Sequence, residues 1–264
     1  MPAFFYLNMA DLRFYFEKAV NTYEKAGRIQ KKVAQELLRR LNRGYYQTVV
    51  EIGSGRGFLS KPLIETLSFE RFIHIDLSFQ FLKRLKSDLR GRFFFINARA
   101  ESIPLRQEIA ELIISSSTLH WVKEHDRSFK EIFKILKEGG RFYLSIFTAK
   151  TLRELKHASE LSGFGSVYPL KEAGFYIEML KNMKITFNYE IKNYREVYSS
   201  LEELLLAHRY TGTNYTEEKK FSGKESFRKF CEIYSSLFSN NKGIYATYEV
   251  LFIEGQKLSP FPQY

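Results

Sequence analysis

The segment Glu51-Ile52-Gly53-Ser54-Gly55-Arg56-Gly57 constrains this chain more than any other. It closes an apolar run, Thr48–Ile52, and opens a helical pattern over Phe58–Leu67. A turn this tight calls for glycine, because side chains would restrict φ and keep a ligand away from the backbone. The helix beyond it leaves N–H groups free to face an acceptor. Asp76 ends the next apolar run, Phe72–Ile75, about twenty residues past the turn, where a carboxylate can accept both hydroxyls of a ribose. An Asp at such a place can also be a plain helix cap. In company with the glycine turn, the ribose reading is the stronger.

The surrounding pattern supplies the frame. Ile29, Val33, Ala34, Leu37, Leu38 and Leu41 recur at helical spacing opposite charged residues, which predicts an amphipathic helix stopped near Asn42–Gly44. Helices are expected at Phe79–Leu89 and Phe129–Leu136, and apolar runs at Phe93–Ile96, Leu112–Ile114 and Phe142–Phe147, with Gly139–Gly140 ending the second helix. Strands alternating with helices, each strand a continuous apolar run, predict an α/β fold with a mostly parallel sheet covered on both faces. After Phe147 the rhythm changes. Helices are expected at Thr151–Leu161, Pro169–Leu180 (interrupted at Gly174), Leu201–Ala207 and Ser226–Leu237, with strands at Ile185–Tyr189 and Tyr245–Ile253 and a mobile polar loop at Thr211–Gly223. No Pro/Gly/Ser-rich linker separates the halves. The expectation is one domain over 1–264: an N-terminal lid and helix at 1–44, a cofactor-binding core at 45–148, and a helical cap with closing strands at 149–264.

The turn also speaks about its ligand. Dinucleotide enzymes use G-x-G-x-x-G, but here the third glycine comes one residue early. Glu51 would repel a pyrophosphate yet could hold an ammonium group. Both departures point to a cationic, amino-acid-bearing ligand such as S-adenosylmethionine. Gly53, Ser54, Gly55 and Gly57 would line it, with Leu77 beside Asp76. The loop Asn97–Leu105, carrying Ala100 and Glu101, should wall the adenine. Ser115 and Ser116 end the fourth strand at the carboxyl edge of the sheet, where open α/β sheets place ligands. His120 and Trp121 lie just beyond; they fit a packed core as well, but their place at that edge favours the pocket.

Composition narrows the setting. The chain has 264 residues, 41 Lys and Arg against 30 Asp and Glu, and a formal charge of +11, which favours an anionic partner without naming it. The longest apolar stretches are too short to span a bilayer. The apolar start Met1–Leu7 runs directly into charged residues without a cleavage site, so no signal peptide is expected. A single cysteine, Cys231, excludes an internal disulfide and suits a reducing cytoplasm. Its aromatic surroundings suggest a packed thiol rather than a nucleophile.

With these residues in view, the chain resembles the malonyl-acyl-carrier-protein O-methyltransferases of biotin biosynthesis. The glycine turn and His74-Ile75-Asp76 alone would resemble only the broad class I, Rossmann-like methyltransferases. The narrower likeness lies in Phe16–Leu38, Ser115–Val122, Thr151–Leu155 and Ala246–Phe252, with a looser match over Leu204–Gly212. The resemblance implies a seven-stranded, mostly parallel sheet flanked by helices, an N-terminal helical lid and a helical cap after the fifth strand. It implies S-adenosyl-L-methionine as cofactor, a methyl ester of a malonyl thioester as product, and no metal. It places Tyr23 and His120 in catalysis and Gln30 on the cofactor. Arg153 or Arg209 could meet the substrate carboxylate. Lys150, Arg153, Lys156, Lys219, Lys220 and Lys224 could receive an acidic carrier protein, with malonyl-CoA the other acyl bearer. A cytoplasmic monomer is expected, with no membrane or nucleic-acid partner. One departure stands out: relatives carry an Asp five residues before the loop proline, where this chain has Arg99. An Arg cannot accept a bond from the adenine amino group, so either Glu101 or a backbone carbonyl substitutes, or the adenine sits differently. Ser116 stands where relatives often have Asn.

A malonyl carboxylate ionises near or below about pH 3–4 and is already nucleophilic at neutral pH. The absence of a convincing Ser-His-Asp or Cys-His arrangement agrees with chemistry that needs no general base. The rival readings are a methyltransferase for another small carboxylate or a quinone ring, a nucleotide-binding module without catalysis, and an RNA-binding protein or RNA methyltransferase. The last lacks the aromatic and basic signature of RNA-recognition sheets.

Overall fold

The computed structural model describes residues 12–215 and 223–258. In chain order the elements are a helix over 12–19 (α1), α2 (Tyr23–Ala26), α3 (Arg28–Arg40), β1 (Tyr45–Ile52), α4 (Ser60–Thr66), β2 (Ser68–Asp76), α5 (Phe79–Asp88) and β3 (Phe94–Asn97). Then follow β4 (Ala110–Ser116), a single 3-10 turn at Leu119–Trp121, α6 (His125–Ile135), β5 (Leu136–Phe147), α7 (Arg153–Ser162) and α8 (Ala173–Lys181). The chain continues through β6 (Ile185–Tyr198), α9 (Leu201–Thr211), α10 (Lys224–Leu237), β7 (Ser239–Asn240) and β8 (Gly243–Lys257). Two compact units form. One comprises Met1–Ile29, Phe147–Lys171 and Asn193–Val250; the other comprises Gln30–Ile146, Glu172–Lys192 and Leu251–Tyr264.

The strands form a sheet in the order β3-β2-β1-β4-β5-β8-β6, with the two-residue β7 paired to β8 off this path. The pairs β1–β2, β1–β4, β2–β3 and β4–β5 are all parallel. Seven strands on the main path, β7 being the eighth, and a mostly parallel arrangement match the expectation. The five C-terminal residues of β1 and of β2 are buried in unbroken runs, as strands covered on both faces require. Val50, Ile73, Ile113, Leu144, Phe129 and Tyr176 belong to the core cluster that results. Each such side chain, taken fully out of water, contributes about 1.5–3 kcal/mol. α3 follows the predicted spacing, with Val33, Ala34 and Leu37 buried and Lys31, Lys32 and Arg39 exposed.

Several boundaries differ from the reading of the sequence. α6 stops at Ile135, and Gly139–Gly140 lie inside β5 instead of ending a helix. Leu136 is already extended and pairs with Ala110, while Leu112 pairs with Arg141, so the extra residues form a bulge with Gly139 at φ +70°. α8 begins at Ala173, after the extended Glu172, and passes Gly174 without a break. β6 runs far beyond Tyr189, to Tyr198. It is an end strand of the sheet, and its exposed charged positions hid it from an apolar pattern.

In the first unit, α9 continues to Thr211 and ends on Gly212 at φ +70°. A Cβ there would lie 2.7 Å from the carbonyl oxygen of Tyr15, so only glycine allows this approach. Thr213–Tyr215, read as part of a mobile loop, fold back instead: Thr213 Oγ1 lies 2.8 Å from His208 Nδ1, and Tyr215 is buried. Residues 216–222 of that loop lie outside the described residues. A buried polar chain continues from His208 Nε2 to Tyr248 at 3.2 Å and from Tyr248 to Tyr198 at 2.9 Å. Glu154 accepts from the Thr247 hydroxyl and amide, and Glu249 from Thr148. Among the described residues, no helix is long and apolar enough to cross a membrane.

Candidate active site

The glycine turn joins the carboxyl ends of β1 and β2. Gly53 N and Ser54 N both donate to the Ile75 carbonyl, at 2.7 and 3.2 Å, and Gly57 N closes the turn onto Ser54 O at 2.9 Å. Gly53, Gly55 and Gly57 all have positive φ, at 75°, 49° and 81°. Gly53 also faces a neighbour, since a Cβ on it would come within 2.0 Å of Thr118 Oγ1. Gly55 differs: nothing lies within 4 Å of where its Cβ would stand. Its backbone is therefore open to approach. Arg56, inside the turn, is buried and paired with Asp88 at 3.0 Å, so its charge is spent on holding the turn to α5.

Asp76 reaches back to this turn. Its Oδ2 accepts from Gly55 N and its Oδ1 from Ser78 N, both at 2.8 Å. Burial raises its carboxyl from 3.8 to about 6; the two N–H donors pull the other way, and the nearby charge of Glu51 adds to the rise. Two acids therefore crowd the ends of β1 and β2, a setting that a bound cation relieves. The Glu51 side chain is directed to Ser60 and His74, neither of which the sequence singled out.

Ser115 donates its hydroxyl to Ile52 O at 2.8 Å and so ties β4 to β1 beneath the turn. Ser117, also missed, has φ +54° and a buried hydroxyl without a hydrogen-bond partner among the described residues. A non-glycine residue in that region stores strain, which commonly accumulates at functional sites. Ser116, by contrast, takes a bond from Ser145 at 3.1 Å.

Beyond β3, Arg99 and Ser102 bridge a tight turn that carries Ala100 and Glu101. Glu101 is 4% exposed, and its Oε1 has no hydrogen-bond partner among the described residues, the Arg99 guanidinium standing 3.8 Å away. An acceptor therefore exists next to the position where Arg99 replaces the expected one. Leu77 is half-buried, and its carbonyl and that of Asp76 are held by the Asn97 amide.

His120 lies in the 3-10 turn after β4, 4% exposed, with its ring 5.0 Å from that of Trp121. Burial, with a smaller effect from His125, lowers its pKa to about 3. A neutral imidazole can donate one hydrogen bond but brings no positive charge to a carboxylate. Gln30, in α3, is 8% exposed with its Oε1 lacking a hydrogen-bond partner among the described residues. Tyr23 belongs to the first unit, half-buried in α2. So do Arg153, 53% exposed and 3.5 Å from Glu154, and the exposed Arg209 in the last turn of α9.

Residues 50–144, from the middle of β1 into β5, match the family model described as a methyltransferase domain. Over these residues the chain carries a methyltransferase domain of the S-adenosylmethionine-dependent kind. Curated relatives of this methyltransferase carry a narrower name. A malonyl-[acyl-carrier protein] O-methyltransferase from Nitrosospira multiformis is 26% identical and matches 97% of this chain and 91% of its own length. Another of that name, from Chlorobium phaeovibrioides, is 28% identical over 90% of this chain and 92% of its own. Among solved structures, an S-adenosylmethionine-dependent methyltransferase from Mesorhizobium loti shares the fold, with a TM-score of 0.52 at 16% identity, covering 84% of this chain and 96% of that one. A Haemonchus contortus phosphoethanolamine N-methyltransferase, in complex with phosphomonomethylethanolamine and S-adenosylhomocysteine, has a TM-score of 0.59 at 17% identity, over 94% of this chain and 60% of that one.

The residues present fit S-adenosylmethionine. Gly55 offers approachable backbone, Ser54, Glu101 and Ser117 hold buried polar atoms without hydrogen-bond partners among the described residues, and Asp76 is a ready acceptor for hydroxyls. An adenosyl amino acid carries the hydroxyls, amino group and ammonium that such a set can satisfy.

Proposed function

We propose that this methyltransferase acts on the free carboxylate of a malonyl thioester borne by an acyl carrier protein. The observation that carries the substrate is the end-to-end match to malonyl-[acyl-carrier protein] O-methyltransferases, which extends well past the methyltransferase domain to 97% of this chain. When bound, S-adenosylmethionine supplies a sulfonium methyl for in-line displacement. Gly53, Ser54, Gly55 and Gly57 present backbone to it, Asp76 accepts from its ribose with Leu77 alongside, and Glu51 faces its ammonium. Ala100 and Glu101 border the adenine, with Glu101 as acceptor in place of the missing Asp. Ser115 and Gln30 complete the cofactor set.

The malonyl carboxylate needs no base to become a nucleophile, so the protein's work is alignment and exclusion of water. Orientation of this kind supplies roughly 7–11 kcal/mol in favourable cases. Tyr23 donates its hydroxyl to the carboxylate, and His120 donates one neutral hydrogen bond. Because burial keeps His120 uncharged, the compensating cation is Arg153 or Arg209; a desolvated carboxylate left without one would cost several kcal/mol.

Docking of the acidic carrier uses the packed helices α7 and α10, where His157 meets Phe238 and Phe164 meets Phe227. Lys150, Arg153, Lys156 and Lys224 are exposed cations on or beside them; Lys219 and Lys220 lie outside the described residues. The protein is read as a cytoplasmic monomer that binds neither membrane nor nucleic acid. Incubation with radiolabelled S-adenosylmethionine and, in parallel, malonyl-acyl carrier protein, malonyl-CoA or bulk RNA tests the proposal. Base-labile label on the carrier is the expected result. Label on RNA, or none on either malonyl thioester, refutes it.

A further inference from the structure

The Glu51 carboxylate is held by two buried residues, His74 on the neighbouring strand β2 and Ser60 at the start of α4. β1 and β2 run parallel with Glu51 directly opposite His74. His74 Nδ1 stands 3.0 Å from Glu51 Oε2, and Ser60 Oγ donates to the same oxygen at 2.5 Å. Exposure is 2% for Glu51 and 0% for both His74 and Ser60. The imidazole is clamped face to face between Phe72, with ring centroids 4.4 Å apart and planes inclined 15°, and Phe95, at 5.1 Å and 20°. His74 Nε2 has no hydrogen-bond partner among the described residues.

These contacts settle the tautomer. A hydrogen on Nε2 would be a buried donor among aromatic rings with no acceptor, which costs about 1–3 kcal/mol. A hydrogen on Nδ1 has Glu51 to meet. His74 therefore carries its hydrogen on Nδ1 and donates, and the ring clamp prevents it from turning away. With two donors converging on Oε2, the carboxylate cannot rotate, and Oε1 makes no hydrogen bond among the described residues. Packing alone gives no reason for three polar groups here, because desolvating them is costly and aliphatic side chains would fill the same interior.

We propose that His74 and Ser60 are positioning residues for the cofactor's amino group: by fixing Oε2 they aim Oε1 of Glu51 as the acceptor for the ammonium of S-adenosylmethionine. The inference rests on the reading that Glu51 meets that ammonium. It assigns the specificity for the amino-acid end of the ligand to a hydrogen-bonded pair beneath the glycine turn, while Asp76 serves the ribose.

The test compares two ligands by titration calorimetry: S-adenosylhomocysteine, which has the ammonium, and 5′-methylthioadenosine, which lacks the amino-acid end. Variants are His74→Phe, which keeps the ring stack and loses the donor, His74→Asn, which can restore an N–H near the Nδ1 position, Ser60→Ala, and Glu51→Gln. His74→Phe is expected to weaken S-adenosylhomocysteine about tenfold, the loss of roughly one charge-assisted hydrogen bond, with methylthioadenosine within about twofold of the native protein. His74→Asn should recover most of the loss. In turnover, KM for S-adenosylmethionine should rise while kcat at saturation holds. Ser60→Ala should repeat the pattern more weakly, which keeps the idea testable if His74→Phe does not fold. If both His74→Phe and Ser60→Ala weaken the two ligands equally, or neither, the positioning role is wrong. Glu51→Gln separates the two levels. Selective loss of S-adenosylhomocysteine in Glu51→Gln, without any in the other variants, overturns only the roles of His74 and Ser60. A Glu51→Gln protein that does not distinguish the ligands overturns the reading of Glu51 itself.

Discussion

Lowering the pH should loosen the cofactor through Asp76 before it harms anything else at the turn. Its carboxyl is buried and raised to about 6, with Glu51 contributing to the rise. The ribose hydroxyls donate and need the ionised form, so affinity is complete above that value and is lost as pH falls through it. Each unit below the pKa costs up to tenfold, which puts binding at about pH 5 roughly tenfold weaker than at about pH 7. The ligand's own carboxylate and ammonium keep their charge over that range. In the free protein the same shift has the opposite sign. The unfolded chain ionises near 3.8 and the folded chain near 6, so the free protein loses up to about 3 kcal/mol of stability as pH rises between those values. Calorimetric titration of S-adenosylhomocysteine from about pH 5 to pH 7.5, paired with melting curves of the free protein, measures both. Asp76→Asn should bind roughly ten- to hundredfold more weakly, as expected for loss of a charged acceptor, and should show no such pH dependence. A flat affinity in the native protein, or the same slope in Asp76→Asn, would refute the reasoning.

Gly53→Ala and Gly55→Ala should fail differently. The first meets Thr118 within 2.0 Å at φ +75°; backbone strain alone costs about 1–2 kcal/mol and lowers Tm by roughly 2–8 °C. Gly55→Ala meets no protein atom within 4 Å, so calorimetry should show a loss of cofactor affinity beyond its effect on melting. Tyr23→Phe should lower kcat roughly ten- to hundredfold, the worth of one hydrogen bond to a charged group, with S-adenosylhomocysteine affinity nearly unchanged; unaltered kcat would remove Tyr23 from the mechanism. Adding salt to several tenths molar should reduce kcat/KM on the carrier-bound substrate by roughly fivefold or more. A salt-insensitive rate would argue against the basic helices as its landing surface.

What the sequence disclosed follows from how each feature is encoded. The helix from Arg28 to Arg40 and the strands feeding the turn were visible because burial on one face, or on both, writes a period or a run. Gly139–Gly140 misled because glycine marks a helix end and a bulge equally well, and only the pairing with β4 distinguishes them. β6 was cut short because exposure removes the apolar signal while backbone pairing remains. At the site, the glycines and Asp76 stood out by local spacing. His74 did not, although an ionisable residue inside the apolar run Phe72-Ile73-His74-Ile75 was the clue, and its register with Glu51 is a property of the sheet. Ser117 was passed over for Ser115 because its strain is a backbone angle, which composition does not record.

The missing side chain at Gly212 has an effect at a distance along the chain. The main chain of Tyr15 sits where a methyl group would be, and Thr22 donates to the carbonyl of Tyr210 two residues earlier. The end of α9 is thus tied to the early chain at two points, Tyr15 in the opening helix and Thr22 just before α2. Unwinding the last turn of α9 releases both ties at once.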